Sequence, residues 1–261
     1  MELEDRILPS IMGILNVTPD SFYDGGKHND LDAAVAFAKK LIKDGADIID
    51  IGGESTRPGF TPVSIEEEIR RTAEVVSEVS KLGVTVSIDT TKPEVALEAL
   101  KRGASIINDV SGTVNPKMVE LAKEYDAKII ITHAPSEIDP EINIVNDILE
   151  FFEVSLEDAS YLGLPEDKII FDPGVGFGKT VEQNLAIIRN LYELKTLNIP
   201  ILLAASNKSY IKKTLGDDET SLAAGNAAAI TAAARDGIDM IRVHDAAFAK
   251  KLFKMCALLD I

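Results

Sequence analysis

Residues 47–90, DIIDIGGESTRPGFTPVSIEEEIRRTAEVVSEVSKLGVTVSIDT, contain the repeating unit of the whole chain. A short β-branched run (47–53) is followed by an amphipathic stretch (64–82) and a second such run (84–90). The cores of the strand runs are built of Ile, Val and Leu, as expected of parallel strands covered on both faces. Ser64, with Glu67 three residues later, has the arrangement of a capping box, and Gly83 stops the helical pattern. Working outward, the same alternation predicts strands at 11–17, 105–111, 128–134, 168–174, 200–206 and 240–245, eight in all. Helical stripes are expected at 31–44, ending at Gly45, at 219–236, ending at Gly237, and at 246–259. No Pro/Ser-rich linker interrupts the pattern, so residues 1–261 read as one α/β domain, a (β/α)8 TIM barrel, with a doubly wound open sheet as the competing arrangement.

Composition narrows the partners. With 27 Lys+Arg against 43 Asp+Glu the formal net charge is -16, which repels nucleic acid and anionic membrane surfaces. No run reaches the roughly 18 apolar residues of a membrane span, and the start MELEDR lacks the pattern of a secretory signal. A lone cysteine, Cys256, excludes an internal disulfide and a thiolate metal cluster, and the expected location is cytoplasmic.

In either fold the chemistry belongs at the C-terminal ends of the strands. Those ends read Asn16, Asp50, Asp89, Asn108, His133, Asp172, Ser206 with Lys208, and Arg242 with His244, nearly all polar. Each has a bland reading as a cap or turn residue, and His133 as a satisfied core histidine; together they describe a site. Two strand-borne Asp residues and an Asn suit a flat heterocycle with an amidine or guanidine edge, because a carboxylate accepts two N–H bonds at once. Lys208, Arg242 and His244 lie where barrels of this class bind phosphate, and with Arg57 they are expected to form a cationic zone.

The glycine-rich run 172–179, DPGVGFGK, is not a P-loop, since Pro173 stands where the first glycine belongs, and not a dinucleotide fingerprint, since Lys179 stands where the last one belongs. Its glycines suit a tight strand exit that lets a ligand ring approach the backbone. His28, His133 and His244 are too scattered for a protein-built zinc site. Magnesium carried by a diphosphate needs only one or two protein oxygens, and Asn16 can supply one. Ser206 and Ser209 have no local base motif, which disfavours covalent catalysis.

The segments GILNVTPDSFYDGG (13–26), DIIDIGGESTRPG (47–59), SIDTTKPEVA (87–96), GASIINDVSG (103–112), DPGVGFGK (172–179), SNKS (206–209) and RVHD (242–245), in this order, resemble the dihydropteroate synthase family of pterin-binding enzymes. The resemblance implies a magnesium-dependent barrel joining 6-hydroxymethyl-7,8-dihydropterin diphosphate to para-aminobenzoate in folate biosynthesis, a homodimer and a sulfonamide target. It implies Asp89, Asn108, Asp172 and Lys208 as the pterin set, Asp50 lining that pocket, and Asn16 as the magnesium contact. Arg242 and His244 would take the diphosphate. Thr56, Arg57, Pro58, Phe177 and Ser209 would form the aminobenzoate pocket, with mobile loops at 18–26 and 55–61. Asp50, Asp89, Asp172, Lys208, Arg242 and His244 would carry the catalysis. Two segments depart from the family pattern. Asn207 replaces the usual arginine of a Ser-Arg-Lys motif, and Thr132-His133-Ala134-Pro135-Ser136 replaces a Met-His-Met and Gly-x-Pro turn. Both changes fall on the acceptor side, so a ribosylated aminobenzene acceptor of the methanopterin type stays open. So does a methyltetrahydrofolate:corrinoid methyltransferase, which needs no diphosphate site, and so does a catalytically silent pterin-binding homologue.

Overall fold

A computed structural model describes residues 8–18, 27–54 and 62–261. Eight strands run in parallel: β1 (Ser10–Asn16), β2 (Ile48–Gly52), β3 (Thr85–Asp89), β4 (Ile106–Asp109), β5 (Lys128–Thr132), β6 (Ile169–Asp172), β7 (Leu202–Leu203) and β8 (Met240–Val243). Their order, β6-β5-β4-β3-β2-β1-β8-β7, leaves β6 and β7 at the two edges. A parallel bridge from Phe171 to Ile201, with the Phe171 amide donating to the Pro200 carbonyl at 2.9 Å, joins those edges and closes the barrel. The open sheet is thereby ruled out.

Helices fill the crossovers: α1 (Lys27–Asp44), α2 (Ile65–Ser80), α3 (Pro93–Leu100), α4 (Pro116–Glu124), α5 (Ile144–Tyr161), α6 (Val181–Arg189), α7 (Leu191–Leu194), α8 (Ser209–Leu215), α9 (Glu219–Arg235) and α10 (Ala246–Leu258). Ser64 caps α2 through the Glu67 amide at 3.2 Å, but Glu67 turns its carboxylate to Arg70 and Arg71, so the expected capping box is one-sided. Ion pairing with two guanidiniums outcompetes one backbone N–H. The reciprocal box occurs at α6, between Thr180 and Gln183.

The core has two compartments. Inside the barrel, Met12, Ile48, Ile106, Ile130, Ile170 and Leu202 pack into one apolar plug, with Met240 against it. Outside, the opposite faces of the strands meet the helices; Phe152 of α5, for example, stacks on Phe171 of β6 with centroids 4.2 Å apart. Because strand side chains alternate faces, the residues two positions beyond the plug also point inward. Apart from Ile14 and Ala204 these are Asp50, Asn108, Thr132, Asp172 and Arg242, and they turn the upper barrel from apolar to polar.

Candidate active site

Register places the acidic residues side by side. Asp50 lies opposite Ser87, Gly52 opposite Asp89, and Asp89 opposite Asn108. Arg242 reaches across the barrel and binds two carboxylates at once, Nε to Asp50 Oδ2 and Nη2 to Asp89 Oδ2, both at 2.6 Å. Asn108 Nδ2 donates to the same Asp50 oxygen at 3.1 Å. Three acceptors of this buried set, Asp50 Oδ1, Asp89 Oδ1 and Asn108 Oδ1, have no hydrogen-bond partner. Buried acceptors are costly to leave unpaired, so the cluster is built to receive donors from a bound molecule.

The opposite wall is the 173–180 loop. Asp172 Oδ1 accepts the Gly174 amide at 2.7 Å, and the Lys208 ammonium lies 4.3 Å from the centre of the Phe177 ring, a cation–π distance. Ser206 Oγ pairs with His244 Nδ1 at 3.0 Å, fixing the imidazole at the end of β8. Beside Asp89, the missing side chain of Gly52 leaves a cradle: Asn16 Oδ1 and Asp89 Oδ2 each come within 3.7 Å of where its Cβ would stand.

Burial sets the electrostatics. It pushes the Asp89 carboxyl up to about 7, against the pull of Arg242 and with the help of Asp50. Asp172 is likewise raised by burial, with the Gly174 amide and Lys208 opposing. Arg242 loses solvation too, yet Asp50 and Asp89 more than restore its charge.

Asp50, Asp89, Asn108, Asp172, Lys208, Arg242 and His244 therefore stand at one end of the barrel, with Asn16 and Phe177 at its rim. Ser209 is exposed at the start of α8. Thr56, Arg57 and Pro58 lie outside the described residues, as does the loop expected over 18–26 except for Thr18. Three expectations are corrected. His133 points outward and stays out of the site: its Nε2 meets Asp147 Oδ2 at 3.1 Å, its ring lies edge-on to Phe151, and burial lowers its pKa to about 3. The glycine run admits the protein's own backbone rather than a ligand ring, because a Cβ at Gly174 would overlap the His133 carbonyl and one at Gly178 the Pro135 carbonyl. The cationic zone is not purely cationic, since two nitrogens of Arg242 are paired with the Asp50 and Asp89 carboxylates. Asn207, in the left-handed region at φ 55°, exchanges hydrogen bonds with Asn226 of α9 at 2.9 and 2.7 Å.

Sequence reasoning missed three features. Thr132 and Ser87 present buried, unpartnered hydroxyls to the barrel interior, which counting by twos from Ile130 and Asp89 would have found. Glu68 is buried and holds Thr90 Oγ1 at 2.7 Å and Lys92; Lys92 also holds Glu54 at 2.8 Å, whose carboxylate takes the Val63 amide at 2.6 Å. This network ties together Glu54 and Val63, on either side of the stretch carrying Arg57. The third is Lys179, a buried ammonium behind the 173–178 loop.

The chain matches the family described as pterin binding enzyme over residues 12–244. It belongs to that family. It is 44% identical over 255 residues to the dihydropteroate synthase of Bacillus subtilis, covering 96% of this chain and 87% of that one. The structure of a Clostridium difficile dihydropteroate synthase in the presence of pteroic acid superposes with a TM-score of 0.91 at 44% identity, covering 97% of both chains. That of an Anaplasma phagocytophilum dihydropteroate synthase with bound 6-hydroxymethylpterin-monophosphate gives 0.90 at 36% identity, covering 98% of this chain and 100% of that one. In this pterin-binding enzyme the polar layer lies directly above the apolar plug. No helix among the described residues is long and apolar enough to cross a membrane.

Proposed function

We propose that this pterin-binding enzyme is a dihydropteroate synthase, condensing 6-hydroxymethyl-7,8-dihydropterin diphosphate with para-aminobenzoate to give dihydropteroate and diphosphate. The observation that carries the reading is the set of buried, unpaired oxygens on Asp50, Asp89 and Asn108, an acceptor array that fits the guanidine-like edge of a pterin. Pteroic acid and a pterin monophosphate in the two related structures support it. Asp89, Asn108, Asp172 and Lys208 hold the pterin, and Asp50 completes the pocket. The guanidinium of Arg242, fixed edge-on by two carboxylates, keeps a planar face for the ring and further N–H groups for an anion.

In this reading the CH2–O bond breaks first and the diphosphate leaves with the electron pair. The cation left at that carbon is delocalised into the electron-rich ring, beside the carboxylates of Asp50 and Asp172. Arg242 and the Ser206-held His244 offer N–H groups to the departing anion. The aromatic amine then attacks the CH2 carbon and loses a proton. The Asn16 cradle fits a magnesium ion: its donors are hard oxygens, and no group of three or more His, Cys, Asp or Glu is placed for a metal among the described residues, so the other ligands would be water and phosphate. Bound there, magnesium would neutralise charge on the leaving diphosphate.

Phe177, Ser209, Thr56, Arg57 and Pro58 make up the acceptor side. Because position 207 is an asparagine it supplies no guanidinium there, which keeps a ribosylated aminobenzene as the second acceptor. A homodimer and a cytoplasmic location complete the proposal; exposed Leu215 at the end of α8 supports the first, and a single buried cysteine the second. Sedimentation at twice the chain mass checks the dimer. Calorimetry with the pterin substrate checks the pocket: Asp172→Asn and Lys208→Ala should each abolish pterin binding while the melting temperature changes little. A purely structural Asp172 would do the reverse.

A further inference from the structure

Lys179 has no part in the reaction above, yet it is the most deeply placed ammonium among the described residues, 8% exposed. Its Nζ donates to three backbone carbonyls, His133 at 2.8 Å, Gly174 at 3.0 Å and Phe177 at 3.0 Å. Three acceptors match the three protons of an ammonium. Two of the carbonyls belong to the loop that follows β6 and one to the end of β5, so a single charge ties two strand exits together.

The loop is shaped around that charge. Gly174, Gly176 and Gly178 all have positive φ, at 67°, 91° and 53°, a conformation that glycine adopts freely. With carbonyls of this loop turned to the ammonium, its amides serve elsewhere: Gly174 N–H holds Asp172 Oδ1 at 2.7 Å, and Gly176 N–H holds Asn184 Oδ1 at 2.6 Å. The Phe177 amide donates to the Gly174 carbonyl at 3.0 Å, completing a turn that sets the Phe177 ring under Lys208. Asp172 and Asp147 face the ammonium and support its charge; Lys208 opposes it, and burial draws its pKa down to about 7.

We infer that Lys179 is a positioning residue for the pterin pocket: its ammonium, held by three carbonyls, acts as an internal cation that templates the 173–178 loop and so sets Asp172 and the Phe177–Lys208 pair. The inference rests on the pterin reading for its binding consequence and is independent of it for its structural one. Charge-assisted hydrogen bonds to buried groups are strong and costly to remove. The loop, not the barrel, should register their loss.

Lys179→Met keeps the apolar stem and removes the charge. In this variant the amides of Gly174 and Phe177 should exchange hydrogen about tenfold faster or more, while those of β1–β4 keep their protection. The KM for the pterin diphosphate should rise about tenfold, and because the same loop carries Phe177 the KM for the aminobenzoate should rise too, by a smaller factor. In Lys179→Ala, added propylammonium should restore pterin affinity in a saturable way and tetramethylammonium, which has no N–H, should not. If Lys179→Ala does not fold, Lys179→Met carries the test alone. Unchanged exchange at Gly174 and Phe177 would overturn the inference, as would uniform loss of protection through the barrel. Faster loop exchange in an enzyme whose wild type fails to bind the pterin would leave the templating role standing and count against the functional reading instead.

Discussion

Asp89 is the residue where burial and function pull hardest against each other. Its pKa rises from 3.8 to about 7, because burial costs the carboxylate more than Arg242 returns. Between those values the folded protein holds a proton that the unfolded chain has released, so this group makes stability fall as pH rises through that window. A pterin edge that donates N–H groups needs the charged form, so pterin affinity should move the opposite way, weakening as pH falls below about 7 by up to tenfold per unit. Calorimetric titrations from about pH 5.5 to about pH 8 check this, and Asp89→Asn should bind weakly with a flat profile across the range. A wild-type affinity independent of pH would show that Asp89 is not the acceptor. Thr132 offers a second contrast of signs. Its hydroxyl is buried without a partner, so Thr132→Val should leave the ligand-free protein as stable as before or more so. If that hydroxyl meets the pterin or a water beneath it, affinity should fall about tenfold in the same variant, measured beside its thermal melt.

At the scale of elements, the strand exits decide the site, and two glycines separate conformational strain from lack of room. Gly83 has φ 76° with nothing within 4 Å of an added Cβ, whereas Gly174, at φ 67°, would drive a Cβ into the His133 carbonyl. Gly83→Ala should cost only about 1–2 kcal/mol of left-handed strain. Gly174→Ala should cost more in a denaturant titration and should also weaken pterin binding, because the same amide holds Asp172. Phe152→Ala, removing a ring stacked on Phe171, should cost about 3–5 kcal/mol without touching the pocket. The sequence made these elements legible because β-branched runs and amphipathic stretches alternate, and strand ends were overread where apolar residues run on into loops. Residues 200–206 read as a full strand, but β7 pairs only at Leu202–Leu203, since Pro200 has no amide to give and Ile201 makes an isolated bridge. Parity explains the site: Asp50, Asn108 and Asp172 fall in phase with the inward plug, while His133 falls out of phase and leaves the pocket. What parity cannot supply is the partner of a long side chain. The bonds from Arg242 to Asp50, 192 positions away, and from Lys179 to three carbonyls depend on closure of the barrel and on loop shape.

For the whole molecule, a net charge of -16 and a ligand carrying a diphosphate are reconciled differently from a simple basic patch. Among the described residues Lys208 and Arg242 face Asp50, Asp89 and Asp172, so the site is a mixed cluster in which burial favours protonation of Asp89 and Asp172. In the proposed reaction the anion would be accommodated by the outer N–H groups of Arg242, by His244 and by a cation at the Asn16 cradle. Activity should therefore depend on added magnesium and be lost with a chelator, and Asn16→Ala should raise the magnesium concentration needed for half-maximal rate. A barrel whose lower half is an apolar plug and whose upper half is polar gives the chemistry one place to occur. The direct test of that account is a product assay with 6-hydroxymethyl-7,8-dihydropterin diphosphate and magnesium, run with para-aminobenzoate beside its ribosylated counterpart. Para-aminobenzoate should give dihydropteroate and diphosphate in equal amounts, and no product from either acceptor would contradict the proposed activity.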